Sequence, residues 1–432
     1  MCGLPSARRD RGHRSRPRRL PSRERKPAFA ARARDARAPE RRVLIIRTAF
    51  VSTYPPRRCG IATFTHDLAA VTADSQIAVL HPTGPALPYD LKVRHRIRRD
   101  DRASYVEVAE NLNRAVDVVS IQHEYGIWGG EDGDNVLDFA GALRIPAVAT
   151  LHTVLREPTP HMRSILTELA SLTRSMVVMS RSAANLLTSV YGVNRNSIQV
   201  IPHGVPNVPL VDPATAKPSL GIDGRDVILS FGLLGPGKGY ELAIAALPAV
   251  VAAHPSVLYV ILGATHPDLV AREGETYRKS LVALVDRLGL GKHVQFVDRY
   301  VGRNELIHWL EAADVYVTPY PNLGQIVSGT LSYAMGAGRA VVSTPFAYAT
   351  ELLADGRGVL VPSVSSDALA AGLNTVLGDA NLRGAIGRRA YAYSRRMLWS
   401  AVGAAYASLF ADVVSQTAPA TVAQRTGVPI LA

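Results

Sequence analysis

Residues 227–253 read VILSFGLLGPGKGYELAIAALPAVVAA, the most informative stretch of this chain. The short apolar run Val227–Phe231 predicts a buried strand, and Gly239–Ala253 has the composition of a buried helix. Three glycines lie in the turn between them, where they let a backbone approach another group closely. A strand, a glycine-rich turn and a helix form the unit from which parallel α/β sheets are built.

The same alternation extends over most of the chain. Further strands are predicted at Val43–Ile46, Ile77–Leu80, Val116–Ile121, Ala147–Leu151, Met176–Met179, Ile198–Ile201, Leu258–Leu262, Val294–Val297, Val315–Thr318, Ala340–Ser343 and Val359–Val361. Helices are predicted at Ala62–Thr72, Tyr105–Ala115, Met162–Thr173, Ala183–Val190, Tyr277–Leu288, Arg303–Ala313, Ser328–Gly336 and Asp367–Leu377, with two more in 380–411. The pattern predicts an α/β protein with two Rossmann-like domains facing a cleft.

The chain between the strands and helices of the two predicted domains is rich in proline and glycine, which predicts a linker there. The predicted segments are a disordered Arg-rich extension (1–42), a first Rossmann-like domain (43–205), a linker (206–226), a second Rossmann-like domain (227–390), C-terminal helices returning to the first domain (391–412) and a loose tail (413–432).

The chain has 432 residues and a formal net charge of +13, but this charge is concentrated at one end. Residues 1–42 hold fourteen Arg and one Lys against four acidic residues, a net charge of +11, which leaves +2 for the rest. A nearly neutral body does not favour nucleic-acid binding, so no nucleic-acid partner is predicted. The extension is expected to be disordered or to lie ahead of the natural start, with targeting or anionic-surface binding as the alternative.

Two cysteines, Cys2 and Cys59, provide no disulfide framework, which favours a reducing compartment. No apolar run is long enough for a transmembrane helix, and the extension lacks the apolar core of a secretory signal. The expected location is the cytoplasm, with peripheral contact to an anionic membrane as an open alternative. The sequence does not predict the oligomeric state.

Lys238 stands in the glycine-rich turn, although the chain has only six lysines against 43 arginines. With Gly237 and Gly239 beside it and a helix beginning there, it predicts a phosphate site, because helix N-termini and ammonium groups both attract anions. The loop is not a Walker A motif, since Gly239 stands where the Mg²⁺-binding Ser or Thr would be. The alternative is a glycine-rich turn with a solvated lysine.

A second helix start follows the strand Val315–Thr318. Ser328 and Thr330 can cap this helix, and Gly329 lets a ligand approach its first amides. Two phosphate-competent helix starts in one domain fit a diphosphate, although an ordinary capped helix explains the second one equally well.

Candidate residues in the first half follow predicted strands. Arg57, Arg58 and Gly60 lie between the first strand and the first helix. The pair His123-Glu124 and the residue His152 stand at later strand ends, where α/β proteins bind ligands. A structural role for either histidine is the alternative. Because metal-binding and nucleophile motifs are missing, no metal site is predicted and Cys59 is not assigned as a nucleophile.

At these residues the chain resembles the family 4 glycosyltransferases of the GT-B fold. The resemblance covers about 43–412 and is most specific over 227–362. It is carried by Phe231–Gly239, Val315–Pro319, Gln325–Gly338 and Glu351–Pro362, together with Cys59–Leu68, Ala149–Thr153 and Val200–Val205. It implies a retaining transferase that moves a hexose of mannose or glucose type from a UDP-, GDP- or ADP-sugar to a hydroxyl. The acceptor is a sugar, a lipid-linked sugar or a small molecule, and no metal or cofactor is expected.

The resemblance also implies roles for individual residues. Catalytic roles fall on His152, Lys238 and Gln325. The donor-binding set is Gly60, Gly237, Lys238, Gly239, Gln325, Val327, Ser328, Gly329, Thr330 and Tyr333. The acceptor or sugar side is Arg57, Arg58, His123, Glu124, His152 and His203.

Three positions depart from the family pattern. The usual pair of glutamates, one for the sugar and one for the ribose, is replaced by Gln325 and Tyr333. The usual arginine five positions before the lysine is Leu233. Gln325 can still hydrogen-bond a sugar hydroxyl, whereas Tyr333 cannot act as a carboxylate. The alternatives are therefore a GT-B nucleotide-sugar epimerase and a non-catalytic nucleotide-sugar-binding protein.

Overall fold

The computed structural model describes residues 45–82 and 87–417, and its first domain is built on a seven-stranded parallel sheet. The strands are β1 Thr48–Ser52, β2 Ser75–His81, β3 Val93–Arg98, β4 Val118–His123, β5 Ala147–Leu151, β6 Ser175–Val178 and β7 Ile198–Val200, in the spatial order β3-β2-β1-β4-β5-β6-β7. Its helices are α1 Gly60–Ala70, α2 Arg102–Ala115, α3 Asn135–Gly141, α4 Pro160–Leu172 and α5 Arg181–Ser189. Every residue of β1, β4 and β5 is buried, because helices cover both faces of the sheet.

The second domain repeats this architecture on six parallel strands, after a connecting segment that carries α6 Pro213–Ala216. The strands are β8 Asp226–Phe231, β9 Val257–Leu262, β10 Val294–Val297, β11 Val315–Thr318, β12 Ala340–Ser343 and β13 Val359–Leu360, in the order β10-β9-β8-β11-β12-β13. The helices are α7 Tyr240–Ala253, α8 Pro267–Glu273, α9 Thr276–Arg287, α10 Arg303–Ala312, α11 Gly329–Gly336, α12 Ala347–Leu352, α13 Ser366–Gly378 and α14 Ala380–Ser394. The predicted α/β class with two Rossmann-like domains is confirmed.

The structure differs from the sequence prediction at two strands of the first sheet. The first strand is β1, several residues after the predicted Val43–Ile46, because the buried pairing with β2 and β4 begins at Thr48. The strand β3 was not predicted, since its sequence VRHRIR has no apolar run. It lies at the edge of the sheet, where a strand has one neighbour and tolerates charged side chains.

The last described helix, α15 Trp399–Thr417, packs against the first domain although it follows the second in the chain. Phe410 contacts the ring of Phe50, and the hydroxyls of Tyr406 and Thr150 lie 3.0 Å apart. The predicted tail is therefore wrong for residues 413–417, which stay helical because Val413 is buried in this contact. The predicted extension over 1–42 and the rest of the tail lie outside the described residues.

The two domains also touch directly along one side of the cleft. The Glu351 carboxylate, from α12, accepts hydrogen bonds from the backbone amides of Arg181 (3.0 Å) and Ser182 (3.1 Å) at the start of α5. The Ser180 hydroxyl donates to the carbonyl of Ile326 at 3.0 Å. These contacts bring the two domains together beside the carboxyl ends of their strands.

Candidate active site

A cavity of about 920 Å³ lies between the two domains, at the carboxyl ends of their strands. Most of the predicted site residues line it: Arg57, Arg58, Gly60, Glu124, His152, His203, Lys238, Gln325, Val327, Ser328, Gly329, Thr330 and Tyr333. Those up to His203 come from the first domain and its end, and those from Lys238 onward come from the second domain. They are distant in sequence, so only the tertiary structure brings them together. A ligand in this cavity would contact both domains.

Lys238 closes the glycine-rich turn that connects β8 to α7. Residues Pro236–Lys238 form a single helical turn, and Gly239 then adopts a left-handed conformation with φ of 69°. A Cβ at Gly239 would lie 2.0 Å from the carbonyl oxygen of Pro319, so glycine is required for the turn to pack on the segment after β11. This packing places the lysine side chain at the cavity wall.

Tyr320 connects this lysine to the start of α11. The Lys238 Nζ lies 3.4 Å from the Tyr320 hydroxyl and 4.6 Å from the centre of its ring. That hydroxyl also lies 3.0 Å from Thr330 Oγ1 and 3.4 Å from Ser328 Oγ. Burial raises the pKa of Tyr320, but the Lys238 charge and the two hydroxyls outweigh it, and the pKa falls below its ordinary value. The two predicted phosphate-competent segments thus form one continuous wall.

The helix α11 begins with a side-chain cap. Ser328 Oγ accepts a hydrogen bond from the backbone amide of Leu331 at 3.3 Å, which leaves the amides of the residues between them directed toward the cavity end of the helix. The positive end of the helix dipole therefore faces the same space as Lys238.

The three departures from the family pattern have separate consequences. Leu233 lines the cavity and brings no charge to it. Gln325 also lines the cavity, and its Nε2 donates to the carbonyl of Val327 at 3.0 Å. The Gln325 amide oxygen therefore remains as an acceptor. The Tyr333 hydroxyl donates to the Asp67 carboxylate of the first domain at 3.1 Å.

The first domain contributes the loop before α1 and the start of that helix. Cys59 caps α1 by accepting from the amide of Ala62 at 3.3 Å. Gly60 has open space where a side chain would stand, so a ligand can approach its backbone. Arg57 and Arg58 line the cavity beside it. Among the described residues that line the cavity, the Lys and Arg side chains are these two and Lys238. Each domain therefore contributes positive charge to the cavity.

Two histidines face the cavity and are held by the ring of Phe64. The centroid of this ring lies 4.9 Å from that of His152 and 5.2 Å from that of His203, with edge-to-face geometry in both pairs. His152 Nε2 lies 3.0 Å from the Gln122 amide oxygen, and His203 Nδ1 lies 2.8 Å from the carbonyl of Gly204. Burial lowers the pKa of His152 to about 3 and that of His203 to about 4, so both rings are neutral near pH 7.

Glu124 also lines the cavity as an acidic group of the first domain. Its carboxylate accepts from the backbone amide of Gly126 at 2.8 Å. Burial raises its pKa, and this hydrogen bond together with the charge of Arg57 partly offsets that rise. A partly desolvated carboxylate of this kind can accept a hydrogen bond from an acceptor hydroxyl.

Three predicted residues do not reach the cavity lining. His123 is 0% exposed, its ring contacts Tyr125, and neither ring nitrogen has a hydrogen-bond partner. Burial lowers its pKa to about 3. Gly237 lies on the exposed side of its turn, and Gly239 packs beneath Pro319.

Several lining residues were not on the predicted list. Tyr320 lies two residues after the end of β11, so the same strand-end rule that pointed to His152 could have identified it. Phe64, Tyr300 and His266 also line the cavity. Their sequence context carries no such signal, because their positions depend on how the two domains meet.

In residues 45–82 and 87–417, no group of three or more His, Cys, Asp or Glu is placed so that it could hold a metal ion. Over the same residues, no helix is both long enough and apolar enough to cross a membrane.

Each half of the chain matches the model of a glycosyltransferase family. The model of the glycosyl transferases group 1 matches residues 213–393, and the model of Glycosyltransferase Family 4 matches residues 58–207. The chain belongs to glycosyltransferase family 4. The expected family resemblance and the GT-B fold are thereby confirmed.

Curated relatives of this family 4 glycosyltransferase include three with inositol-containing names. A phosphatidyl-myo-inositol mannosyltransferase from Mycolicibacterium smegmatis is 32% identical over 42% of this chain and 44% of its own length. A GDP-mannose-dependent monoacylated alpha-(1-6)-phosphatidylinositol monomannoside mannosyltransferase from Corynebacterium glutamicum is 23% identical over 80% of this chain and 91% of its own length. A D-inositol 3-phosphate glycosyltransferase from Segniliparus rotundus is 26% identical over 65% of this chain and 64% of its own length. The matched part thus spans less than two thirds of the first and third relatives.

Solved structures show the same fold at low sequence identity. Sucrose-phosphate synthase from Thermosynechococcus elongatus superposes with a TM-score of 0.70, 16% identity and coverage of 86% of this chain and 100% of the other. HepE from Anabaena, in complex with UDP and glucose, gives a TM-score of 0.69, 17% identity and coverage of 85% and 100%.

Proposed function

We propose that this glycosyltransferase transfers a hexose from a nucleotide diphosphate sugar to a hydroxyl acceptor, with retention of anomeric configuration and without a metal ion. The observation that carries this proposal is the wall formed by Lys238, Tyr320 and the start of α11. It offers an ammonium group and free helix amides to one diphosphate, which is the charge pattern a departing nucleoside diphosphate needs.

In the proposed reaction, the bond between the anomeric carbon and the diphosphate oxygen breaks while the acceptor hydroxyl approaches from the same face. The acceptor oxygen forms the new glycosidic bond, and its proton passes to the leaving diphosphate. Lys238 and the α11 amides stabilise the negative charge that develops. His152 and Gln325 orient the sugar, and the Arg57 and Arg58 side chains take over the positive charge that Leu233 does not supply.

Mannose from a GDP donor is the first combination to test, because two of the three relatives named above are mannosyltransferases and one of these is GDP-mannose-dependent. The inositol-containing names of the relatives suggest an inositol or lipid-linked inositol acceptor, bound on the side of Glu124. A membrane-peripheral location in the cytoplasm would give access to a lipid-linked acceptor.

The test is a panel of UDP-, GDP- and ADP-sugars assayed with sugar, inositol and lipid-linked inositol acceptors, with and without a metal chelator. The expected result is a glycoside whose anomeric configuration, read by NMR, equals that of the donor, at a rate that the chelator does not change. If no nucleotide sugar binds, the proposal fails.

Two further outcomes would replace the proposal with one of the alternatives. If the missing carboxylate at 325 and the missing cation at 233 abolish turnover, calorimetry would show donor binding without product, which would identify a non-catalytic nucleotide-sugar-binding protein. Conversion of the donor in the absence of any acceptor would identify an epimerase.

A further inference from the structure

The Tyr333 hydroxyl belongs to a polar cluster that joins the two domains beside the cavity, whose lining includes Tyr333. Its centre is Asp67, on α1 of the first domain, whose side chain is 1% exposed. One carboxylate oxygen accepts from Tyr333 of α11 at 3.1 Å. The other is hydrogen-bonded to Arg303, at the start of α10, and lies 3.0 Å from Nδ1 of the neighbouring His66. We refer to Asp67, His66, Arg303 and Tyr333 as the Asp67 cluster.

The cluster is satisfied only when the domains are together. A buried carboxylate needs hydrogen bonds and a counter-charge, because leaving water is costly for an ionised group. Two of the three partners of Asp67, and the positive charge, come from the second domain. Separating the domains would therefore leave Asp67 with His66 alone, until water replaced the lost partners.

The position of the cluster connects the two helices whose starts face the cavity. Asp67 lies seven residues after Gly60 on α1, which corresponds to about 10 Å along a helix axis. Tyr333 lies four residues after Gly329 on α11, or about 6 Å. A hydrogen bond between these two residues therefore sets the distance between the two helix starts. A nearby hydrogen bond at 3.2 Å, between Thr63 of α1 and Tyr300 in the segment before α10, also joins the two domains.

The chemistry of the pair also accounts for tyrosine at position 333. A carboxylate at this position would face the Asp67 carboxylate inside a buried interface, where like charges repel strongly. A phenol hydroxyl instead donates its hydrogen to that carboxylate. The Tyr333 hydroxyl and the Asp67 carboxylate are thus a complementary hydrogen-bond donor and acceptor.

We propose that Asp67 is a positioning residue, which acts through Tyr333 and Arg303 to hold α1 and α11 at the separation that forms the donor site. The role in donor binding rests on the proposed function, whereas the role in domain closure does not. Loss of the Tyr333–Asp67 hydrogen bond lowers the population of closed molecules, so more donor is needed to reach the same occupancy.

The experiment compares four variants of the full chain. Tyr333→Glu creates the like-charge pair, Tyr333→Glu/Asp67→Asn relieves it, and Tyr333→Phe removes only the hydroxyl. Tyr348→Phe is the matched control, because the buried Tyr348 hydroxyl pairs with Ser332 within the second domain at 2.9 Å. Small-angle X-ray scattering of the unliganded proteins measures domain separation, and steady-state kinetics with the best donor measures KM and kcat.

We expect Tyr333→Glu to increase the radius of gyration and the double variant to restore the wild-type value. Tyr333→Phe should raise the donor KM by about 10-fold, the range for a lost hydrogen bond to a charged group, with little change in kcat. Tyr348→Phe should change neither quantity. An unchanged radius of gyration in Tyr333→Glu, or no recovery in the double variant, would overturn the proposal.

The two proposals fail in different ways. If no donor supports turnover, the scattering series still tests the Asp67 cluster. If Tyr333→Glu does not fold, Tyr333→Phe alone tests it, and a wild-type KM and radius of gyration in that variant would contradict it.

Discussion

Replacing Lys238 with methionine removes the positive charge from the wall formed by Lys238, Tyr320 and the start of α11, and keeps an unbranched side chain of similar length. The ammonium lies 4.6 Å from the centre of the Tyr320 ring, beside the α11 start. At about 4 Å from a phosphate and an effective dielectric constant of about 20, the interaction of two unit charges is about 4 kcal/mol. Loss of one preorganised donor to a developing anion costs about 2.7–4 kcal/mol in known cases. Both values predict a fall in kcat/KM of about 100-fold to 1,000-fold.

The assay is steady-state transfer from the preferred nucleotide sugar, with calorimetric binding of the corresponding nucleoside diphosphate. The matched control is Lys279→Met, because Lys279 is exposed on α9 and does not line the cavity. Lys238→Arg keeps the charge and should recover part of the lost activity. If Lys238→Met stays within about 3-fold of wild type, a range too small for a lost charge interaction, or if Lys279→Met falls equally, Lys238 does not bind the leaving group.

Three further substitutions test other parts of the structure. Gly329→Ala would place a Cβ 2.8 Å from an imidazole nitrogen of the facing histidine, so the donor KM should rise, whereas Gly235→Ala has open space and should leave KM unchanged. His123 has a pKa of about 3 when folded and about 6.5 when unfolded, so its contribution to stability is complete above about pH 6.5 and is lost as the pH falls toward 3. His123→Phe should therefore reduce the pH dependence of urea unfolding below pH 6.5 by about 1.4 kcal/mol per pH unit; an unchanged slope would contradict this. Glu351→Ala should lower the free energy of unfolding by about 0.5–2 kcal/mol through loss of the two α5 amide contacts, while Glu168→Ala, at an exposed position of α4, should change it by less than about 0.5 kcal/mol.

The Lys238 turn shows which site features the sequence can predict. A strand, a glycine-rich turn and a helix are contiguous in the chain, so the phosphate-competent geometry follows from local residue types. The same holds for Ser328, whose capping role depends on the amide three residues later. The prediction for His123 shows the limit of this reasoning. A strand-end position puts a side chain near the ligand edge but does not decide whether it reaches the cavity, and here burial removes it.

Tyr333 shows a second limit of prediction from the sequence. The sequence alone identifies it as a tyrosine where the family pattern has a glutamate, and gives no partner for it. Its partner, Asp67, lies 266 residues away on another domain, and no local pattern connects the two. The same applies to α15, whose packing on the first domain requires the chain to cross back from the second.

The sequence by itself determined the alternation of strands and helices, the two domains and the glycine-rich turn that carries Lys238, because each depends on the periodicity and chemistry of neighbouring residues. The tertiary structure alone decided which residues face one another across the cleft. Contacts such as Tyr320 with Thr330 lie within one segment, but those of Asp67 with Tyr333 and of Glu351 with α5 join domains. Their existence depends on the relative position of two separately built sheets, which is set by packing over many residues and not by any one stretch of the chain.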